Sequence, residues 1–347
     1  MAPRWVEWSA VLIAVVHLGT MSVASPLRPP LGAAGYHVSD DPRSLESLAG
    51  ASRLLAWVIT TEFRVESDGT IRGTPDRMAQ QVARRGGAEV HFRVANLLDG
   101  VFDRSVVSAL LSSPVARTRA RKNILRILGS GYDGVHLDLE GIPPSQRRHL
   151  VEFVGELKEA VRERGKTVSV AVPGRPKDDP SDEWAGAFDL AALGRSSDRI
   201  VVMAYDEHWE GTEPGPVASL PWVTSVVRFA QTQVPKSKLW LGVGLYGYAW
   251  HRNGRGMGIT AEQAQEIAER SGARILWDDK AKVPFYRTRD LVVYFEDARS
   301  IVHKVELAQR AAWRGVAVWR LGQERPEVWE ALRSYIGRPS DPSASLP

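Results

Sequence analysis

The ten residues from Gly131 to Glu140, Gly-Tyr-Asp-Gly-Val-His-Leu-Asp-Leu-Glu, constrain the fold of this chain more than any other segment. Apolar residues occupy alternate positions, at Val135, Leu137 and Leu139. Alternation with a period of two is typical of a β-strand, which sends successive side chains to opposite faces. The face opposite the apolar one therefore carries three titratable groups: His136, Asp138 and Glu140.

Two of these groups are carboxylates that lie two positions apart on one strand face. At that spacing the backbones of Asp138 and Glu140 are about 6–7 Å apart, close enough for the two charges to interact. Like charges raise the pKa of one partner, and a carboxyl that stays protonated near neutral pH can act as a general acid. Buried strands rarely carry titratable side chains at three alternate positions, so the segment favours catalysis over a polar barrel lining.

The rest of the chain predicts a barrel around this strand. Eight strand-like segments, most of them separated by helical patterns, are Ala34–Val38, Leu54–Ile59, Glu89–Ala95, Gly134–Glu140, Thr167–Val172, Ile200–Tyr205, Leu239–Leu245 and Gly315–Leu321. Alternating strands and helices favour a parallel sheet, and eight repeats favour closure. No Gly-x-Gly-x-x-Gly follows the first strand, which disfavours a dinucleotide-binding fold. We therefore predict an α/β fold, a (β/α)8 TIM barrel over residues 33–337.

The segment between the seventh and eighth strands, residues 246–314, is too long for one helix. It contains a helical pattern at 261–270 and three short strand patterns at 273–277, 284–287 and 291–295. We predict a small α+β insertion over about residues 258–297. The Ser/Pro-rich tail, residues 338–347, is predicted to be disordered.

The N-terminus has the features of an export signal. Arg4 precedes an apolar run from Ala10 to Val16, and Ser22 and Ala24 provide small residues for cleavage after Ala24. The run is shorter than the roughly 20 residues that span a bilayer. Residues 1–24 are predicted to be a signal peptide, with an uncleaved signal anchor that tethers the protein to a membrane as the alternative. Both predict a secreted or extracytoplasmic barrel.

Composition excludes several classes of function. The chain has no cysteine, so it has no disulfide, thiolate metal site or cysteine nucleophile. The net charge is +4, but arginines are scattered and form no aromatic-interleaved stripe, so nucleic-acid binding is not expected. His136, Asp138 and His208 do not make a convincing metal-ligand set. We predict neither a metal nor a cofactor.

Other strand ends place further side chains at the same rim, because the active site of a TIM barrel lies at the carboxyl ends of its strands. Met203 and Tyr205 share a face at the end of the sixth strand. Trp319 ends the eighth strand on the same face as Gly315 and Ala317, which leave space beneath its indole. Weaker predicted rim residues are Asn96, Tyr246, Trp250 and His208.

The segment Asp133-Gly134-Val135-His136-Leu137-Asp138-Leu139-Glu140 resembles the catalytic strand of glycoside hydrolase family 18, D-G-x-[D/N]-x-D-x-E. Met203-Ala204-Tyr205-Asp206 matches the M-x-Y-D motif of that family, and the resemblance covers roughly residues 33–335. His136 stands where most chitinases carry an acid. The branch that acts on spore cortex and cell wall tolerates a non-acidic residue there, so the resemblance is to that branch.

The resemblance implies a substrate-assisted, retaining glycosidase. Glu140 would be the general acid, Asp138 and Tyr205 would orient the substrate's 2-acetamido group as the nucleophile, Asp206 would contact the same group, and Trp319 would form the floor of the sugar subsite. We add His136, Met203, Asn96 and Tyr246 as predicted substrate-binding residues. The predicted substrate is a β-linked polysaccharide that contains N-acetylglucosamine: peptidoglycan, a chitin-like polymer or an exopolysaccharide. The alternative is a glycan-binding barrel without hydrolysis, against which the presence of Glu140 argues.

Overall fold

A computed structural model describes residues 30–252, 254 and 256–337 of the chain. The predicted export signal, residues 1–24, and the predicted disordered tail, residues 338–347, lie outside the described residues. None of the helices in the described part combines the length and apolar character needed to cross a membrane.

Eight parallel strands close into a barrel, which confirms the predicted TIM-barrel fold. In chain order, the barrel strands are Gly32–His37, Trp57–Val65, Glu89–Ala95, Gly134–Asp138, Thr167–Pro173, Arg199–Met203, Leu239–Gly244 and Gly315–Trp319. Each strand pairs with its neighbours in sequence. The first strand closes the ring, because Ala34 is in register with Trp57 of the second strand and with Ala317 of the eighth.

Helices cover the outside of the barrel. They are Pro42–Ala51, Arg77–Gly86, Arg104–Ser112, Pro114–Leu128, Arg147–Arg162, Leu190–Ser196, Leu220–Gln233, Ala298–Arg310 and Pro326–Leu332, with short 3-10 turns at Pro144–Gln146 and Lys236–Lys238. Most begin at a residue whose side chain accepts a backbone N–H of the first turn, including the predicted cap Asp297. The helix Arg147–Arg162 buries the apolar face that its sequence periodicity predicted: Leu150, Phe153, Val154, Leu157 and Val161.

Two apolar layers hold the barrel together. The larger layer lies between strands and helices, and it takes the apolar residues of the fourth strand, Val135 and Leu137. A smaller cluster fills the barrel interior below the rim, with Ala34, Tyr36, Trp57, Ile59, Val201, Trp240 and Ala317. Aromatic rings close the amino-terminal end, where the Arg199 guanidinium lies 4.9 Å from the centroid of the Trp57 ring.

The insertion between the seventh and eighth barrel strands is an antiparallel sheet of five strands with one helix, Ala261–Ser271. Its strands are Tyr246–His251, Gly256–Thr260, Leu276–Asp278, Val283–Arg287 and Leu291–Phe295. The sheet begins before the predicted insertion. Tyr246–His251 follows the seventh barrel strand after Leu245 alone, so one continuous apolar run contains two strands that belong to different sheets.

The strands that carry the predicted catalytic residues end earlier than their sequence patterns indicate. The fourth ends at Asp138 and the sixth at Met203, so Glu140 and Tyr205 lie just beyond the ladder. Beyond a strand end the backbone no longer has a neighbouring strand to bond with, and other groups must satisfy it. Two short strands, Leu97–Leu98 and Val101–Phe102, form a hairpin beside this rim, and Ile71–Arg72 pairs with the second barrel strand.

Candidate active site

Glu140 follows the fourth barrel strand, and a side chain from the third strand fixes its backbone. The Asn96 Oδ1 accepts the Glu140 N–H and the Asn96 Nδ2 donates to the Glu140 carbonyl, each at 2.9 Å. The same Nδ2 donates to the Asp103 carbonyl at 3.0 Å. Asn96 is buried. Asn96 therefore holds the backbone of Glu140 in place, whereas the sequence analysis predicted that Asn96 contacts the substrate directly.

The carboxyl of Glu140 is suited to hold a proton. Burial raises its pKa well above the ordinary value, the negative charge of Asp138 raises it further, Arg93 opposes the shift, and Asp206 adds to it. Its carboxylate oxygens make no hydrogen bond to another side chain in the described part of the chain. A protonated, uncommitted carboxyl at the rim is what a general acid requires.

Asp138 lies deeper in the barrel than Glu140. Its Oδ2 accepts a hydrogen bond from the Arg93 Nη1 at 3.0 Å, and both side chains are 5% exposed. Burial raises the pKa of Asp138, while the charge and the hydrogen bond of Arg93 lower it. Sequence reasoning did not single out Arg93. The available signal was on the third strand, where His91 and Arg93 occupy alternate positions on the inward face.

His136 lies beneath the cleft and has no exposed surface. Its Nε2 is 2.8 Å from the Tyr36 hydroxyl and its Nδ1 is 2.9 Å from the Ser169 hydroxyl. Burial lowers the pKa of His136 well below its ordinary value, and His91 and Arg93 lower it further, so the imidazole is neutral. The predicted direct contact with substrate would need an exposed ring. Both nitrogens instead contact hydroxyls of other strands: Ser169 on the neighbouring fifth strand and Tyr36 on the first strand.

Two tyrosines of the insertion strand Tyr246–His251 contact Asp206, which follows the sixth barrel strand. Asp206 has a positive φ of 59°, in the left-handed region that is strained for a residue with a side chain. Its Oδ1 accepts hydrogen bonds from the Tyr246 hydroxyl at 2.5 Å and the Tyr248 hydroxyl at 2.9 Å. Tyr248 was not predicted, because the strand that carries it belongs to the insertion.

Tyr205 lies at the rim between these groups and the carboxylates. Its ring packs edge-on against Tyr246, with centroids 6.2 Å apart. Burial raises the pKa of Tyr205 well above its ordinary value, and the charges of nearby groups, Asp138 and Glu140 among them, raise it further, so the hydroxyl keeps its proton. Gly242 leaves room for this arrangement, since a Cβ there would lie 3.0 Å from the Met203 Cα and 3.2 Å from the Tyr205 Cε1. Met203 itself is half-buried below Tyr205.

Trp319 forms one wall of a cavity of about 460 Å³ between the barrel rim and the insertion. Other residues of its wall are Asp206, Glu210, Tyr246, Tyr248, Gln263 and Arg43. The indole is half-buried, and its ring centroid is 5.0 Å from that of Tyr36 and 5.7 Å from the Arg93 guanidinium. The cavity therefore has an aromatic wall and several hydrogen-bonding groups, a combination that suits a sugar.

Three neighbouring residues support the loops of the site. The Glu207 carboxylate accepts hydrogen bonds from the Ser219 N–H at 2.7 Å and the Ser219 hydroxyl at 3.0 Å. The His208 Nδ1 is 3.1 Å from the Pro216 carbonyl. Trp250 is fully buried and donates to the Trp209 carbonyl. None of the described residues form a group of three His, Cys, Asp or Glu side chains placed to hold a metal ion.

A barrel with a protonatable carboxyl at the end of its fourth strand, a second carboxylate beneath it and an aromatic wall defines a glycoside hydrolase. The chain belongs to glycosyl hydrolases family 18: the model of this family matches residues 102–324. The resemblance drawn from the catalytic strand is thereby confirmed, and the protein is a glycosidase.

Relatives and solved structures agree with this assignment. The chain is 26% identical to the uncharacterized glycosylase YvbX of Bacillus subtilis (strain 168), over 86% of this chain and 90% of that protein. It is 27% identical to the cortical fragment-lytic enzyme of the same organism, over 81% of this chain and 68% of that protein. The spore cortex-lytic enzyme SleL of Bacillus megaterium QM B1551 matches with a TM-score of 0.83 and 26% identity, over 90% of this chain and 76% of that one.

Proposed function

We propose that this protein is an exported glycosidase that cleaves a β-linked, N-acetylglucosamine-containing polysaccharide of the cell envelope by substrate-assisted, retaining catalysis. The carboxyl of Glu140 carries the proposal. It lies at the rim with a raised pKa, Asp138 lies beside it at the end of the fourth strand, and Asn96 fixes its backbone.

The placement of the acidic residues favours the substrate as nucleophile. A conventional retaining glycosidase needs a second, free carboxylate about 5 Å from the acid and across the scissile bond. Glu207 is committed to Ser219, and Asp206 receives hydrogen bonds from two tyrosine hydroxyls. Asp138 ends the fourth strand and Glu140 follows it two residues later, so Asp138 lies beside the acid and not across the cleft from it.

In the proposed mechanism, Glu140 protonates the leaving oxygen and the acetamido oxygen of the substrate attacks the anomeric carbon, whose bond to the leaving oxygen breaks. The resulting oxazolinium ion is positively charged. Asp138 accepts a hydrogen bond from the amide N–H and offsets this charge, and the Tyr205 hydroxyl donates a hydrogen bond to the acetamido oxygen. Water then attacks the anomeric carbon, and the bond from this carbon to the acetamido oxygen breaks, which regenerates the acetamido group. Glu140, now ionised, accepts the proton of the attacking water, so the acid is restored and the configuration is retained.

The choice of polymer follows the relatives and the sequence. One is named a cortical fragment-lytic enzyme and another a spore cortex-lytic enzyme. On this ground we propose peptidoglycan, in preference to chitin, as the substrate of this chain. Export follows from residues 1–24, whose apolar run and small residues suit a signal peptide or a membrane anchor.

The test is hydrolysis by the purified full chain of three substrates: peptidoglycan, chitin oligomers and poly-N-acetylglucosamine. Release of new reducing ends from peptidoglycan, and its loss in Glu140→Gln, is the expected result. Cleavage of chitin oligomers alone would overturn the preference for peptidoglycan. Binding without cleavage of any of the three would overturn the proposed reaction.

A further inference from the structure

Arg93 is a buried arginine in the interior of the barrel. It lies on the third strand in register with His136 of the fourth, and it is 5% exposed. Removing a guanidinium from water is unfavourable unless a counter-charge and hydrogen bonds replace the lost solvation. The groups around Arg93 therefore indicate what it does there.

The contact between Arg93 and Asp138 is incomplete. One hydrogen bond joins the Arg93 Nη1 to the Asp138 Oδ2 at 3.0 Å. Among the described residues, the Arg93 Nε and the Asp138 Oδ1 have no hydrogen-bond partner. A bidentate pair, in which two parallel hydrogen bonds join the guanidinium to both carboxylate oxygens, would hold the carboxylate in one orientation. This single-bonded pair leaves one carboxylate oxygen available to another donor.

The charges facing Asp138 come from a small set of groups. The first strand supplies Tyr36 and the sixth supplies Tyr205, both with a raised pKa and both neutral. The fourth strand supplies neutral His136 and the carboxyl of Glu140. In the described part of the chain, Arg93 is thus the cation that offsets the charge of Asp138. The eighth strand adds Trp319, which lies beside the guanidinium.

We propose that Arg93 is a positioning residue for the reaction: it keeps Asp138 ionised and bonded away from Glu140 in the free enzyme, and it releases the carboxylate to the N–H of the substrate's acetamido group. The inference rests on the proposed function, because it assigns a partner to the residue that orients the amide. It also gives Asp138 a positively charged partner in a site where His136 stands in place of the acid that most chitinases carry.

The experiment compares the pH profile of kcat/KM for wild type with those of Arg93→Met, Arg93→Gln and Arg93→Lys. Ionised Asp138 is the working form, and an adjacent arginine typically lowers the pKa of an aspartate by about 1–3 units. Without the charge, the acidic limb should move to higher pH by about one unit or more in the Met and Gln variants. Arg93→Lys keeps the charge, so its limb should stay near that of wild type, with a lower kcat because an ammonium replaces the planar guanidinium.

The matched control is Arg117→Met. Arg117 is also buried, donates to the Leu111 carbonyl at 2.7 Å and pairs with Glu156 on an outer helix. This change should lower the melting temperature and leave the acidic limb in place. An Arg93→Met enzyme that loses melting temperature but keeps the wild-type limb would overturn the inference, since the role of Arg93 would then be structural alone.

Two further measurements test the pairing by separate routes: one through activity in a background that lacks the Asp138 charge, and one through stability, which needs no turnover. Adding Arg93→Met to Asp138→Asn should cost less than twofold in further activity, because Arg93 acts through Asp138; an additive loss would contradict this. Without substrate, the melting temperature lost in Arg93→Met should grow as pH rises, and most of this growth should disappear in the Asp138→Asn background, where only the smaller effect of Arg93 on Glu140 is left. If wild type has no turnover, the proposed function is rejected. If the difference in melting temperature between wild type and Arg93→Met does not change with pH, the pairing of Arg93 with Asp138 is rejected.

Discussion

The amide of Asn96 bonds both polar groups of the Glu140 backbone, accepting its N–H and donating to its carbonyl at 2.9 Å each. The two residues follow adjacent barrel strands, where the ladder between those strands has already ended. Asn96 thus replaces the missing strand pairing at the position where the acid must be held. A third bond, from the same amide to the Asp103 carbonyl, ties this arrangement to the following helix.

We predict that Asn96→Ala lowers kcat more than it changes KM. Loss of three hydrogen bonds frees the Glu140 backbone, and a displacement of about 1 Å at a reacting group can reduce the rate about 100-fold. Steady-state kinetics on a soluble oligosaccharide measures this split. The control is Asn123→Ala on the outer helix Pro114–Leu128, where an asparagine amide also donates to a backbone carbonyl. Equal kinetic losses in the two variants would show that Asn96 has no special relation to the acid.

Glu140→Gln should abolish hydrolysis and preserve glycan binding. The amide retains the shape of the side chain but cannot donate the acidic proton, and loss of a general acid costs about 10²–10⁴-fold or more in rate. Turnover and calorimetric titration with an oligosaccharide check the two halves of the prediction. Near-full turnover in this variant would show that another residue is the general acid. The control is Glu156→Gln on the outer helix Arg147–Arg162, which should keep wild-type turnover and glycan binding.

Glu140→Gln should also make the protein more stable than wild type, and this difference should grow as pH rises. The folded-state pKa of Glu140 is raised above its ordinary value of 4.5, so the folded protein holds this proton more tightly than the unfolded chain. Wild type therefore loses stability as pH rises from that value through the raised folded-state pKa, whereas the amide of the Glu140→Gln variant does not titrate. Melting temperatures should be similar at low pH and should diverge in favour of the variant at higher pH. A difference that is independent of pH would argue against a raised pKa.

The activity of wild type should follow a bell-shaped pH profile with both limbs above the usual carboxyl range. Burial raises the pKa of Asp138, and activity falls as pH drops through that value because the ionised form is lost. Activity also falls as pH rises through the raised pKa of Glu140, because the acid loses its proton. Kinetics of kcat/KM across pH measures both limbs. An acidic limb at or below the ordinary range of an aspartate would contradict the burial of Asp138.

The sequence predicts the parts of this site that depend on local pattern. Alternation places Asp138 and Glu140 on one strand face, and the ordinal positions of the strands place Tyr205 and Trp319 at the same end of the barrel. These inferences need only the geometry of a strand and the closure of eight repeats. The predicted strand ends were less accurate, because the sequence pattern does not show where hydrogen bonds from the Asn96 side chain replace those between the strands.

Properties that depend on contacts between distant segments were not predictable in the same way. Arg93 is 45 residues from its partner Asp138. Its alternation with His91 indicates an inward-facing side chain but does not identify the partner. His136 has the alternation of a cleft residue, yet Tyr36 and Ser169 enclose it from two other strands. Tyr248 reaches Asp206 only because the insertion folds back over the rim, and the continuous run around Leu245 conceals that change of sheet.

Trp319→Ala should weaken substrate binding more than it destabilises the barrel. The indole is half-buried and faces the cavity, so its loss removes an aromatic sugar contact, while Tyr36 and Ala317 still close the interior beneath. An aromatic stacking contact contributes about 1 kcal/mol, so affinity should fall about fivefold or more. Oligosaccharide titration and thermal melts measure the two effects. The comparison is Trp222→Ala, on an outer helix, which should reduce the melting temperature alone. A large melting loss with unchanged affinity would place Trp319 in the structural core.

A thiazoline analogue of the oxazolinium ion should inhibit competitively and bind more tightly than the sugar product. The analogue mimics the charged intermediate that Asp138 and Tyr205 would stabilise, and an enzyme binds such mimics better than its ground-state ligands. Asp138→Ala should lose both turnover and this inhibition, because the counter-charge and the orienting acceptor disappear together. Asp138→Asn should keep part of the orientation and lose the charge, so inhibition should weaken less than in Asp138→Ala. Inhibition constants for the three proteins provide the measurement.

A fluorosugar that forms a covalent ester with a protein carboxylate would contradict the mechanism. Asp206 is the first residue to examine for such an adduct, since the Glu207 carboxylate already accepts hydrogen bonds from Ser219.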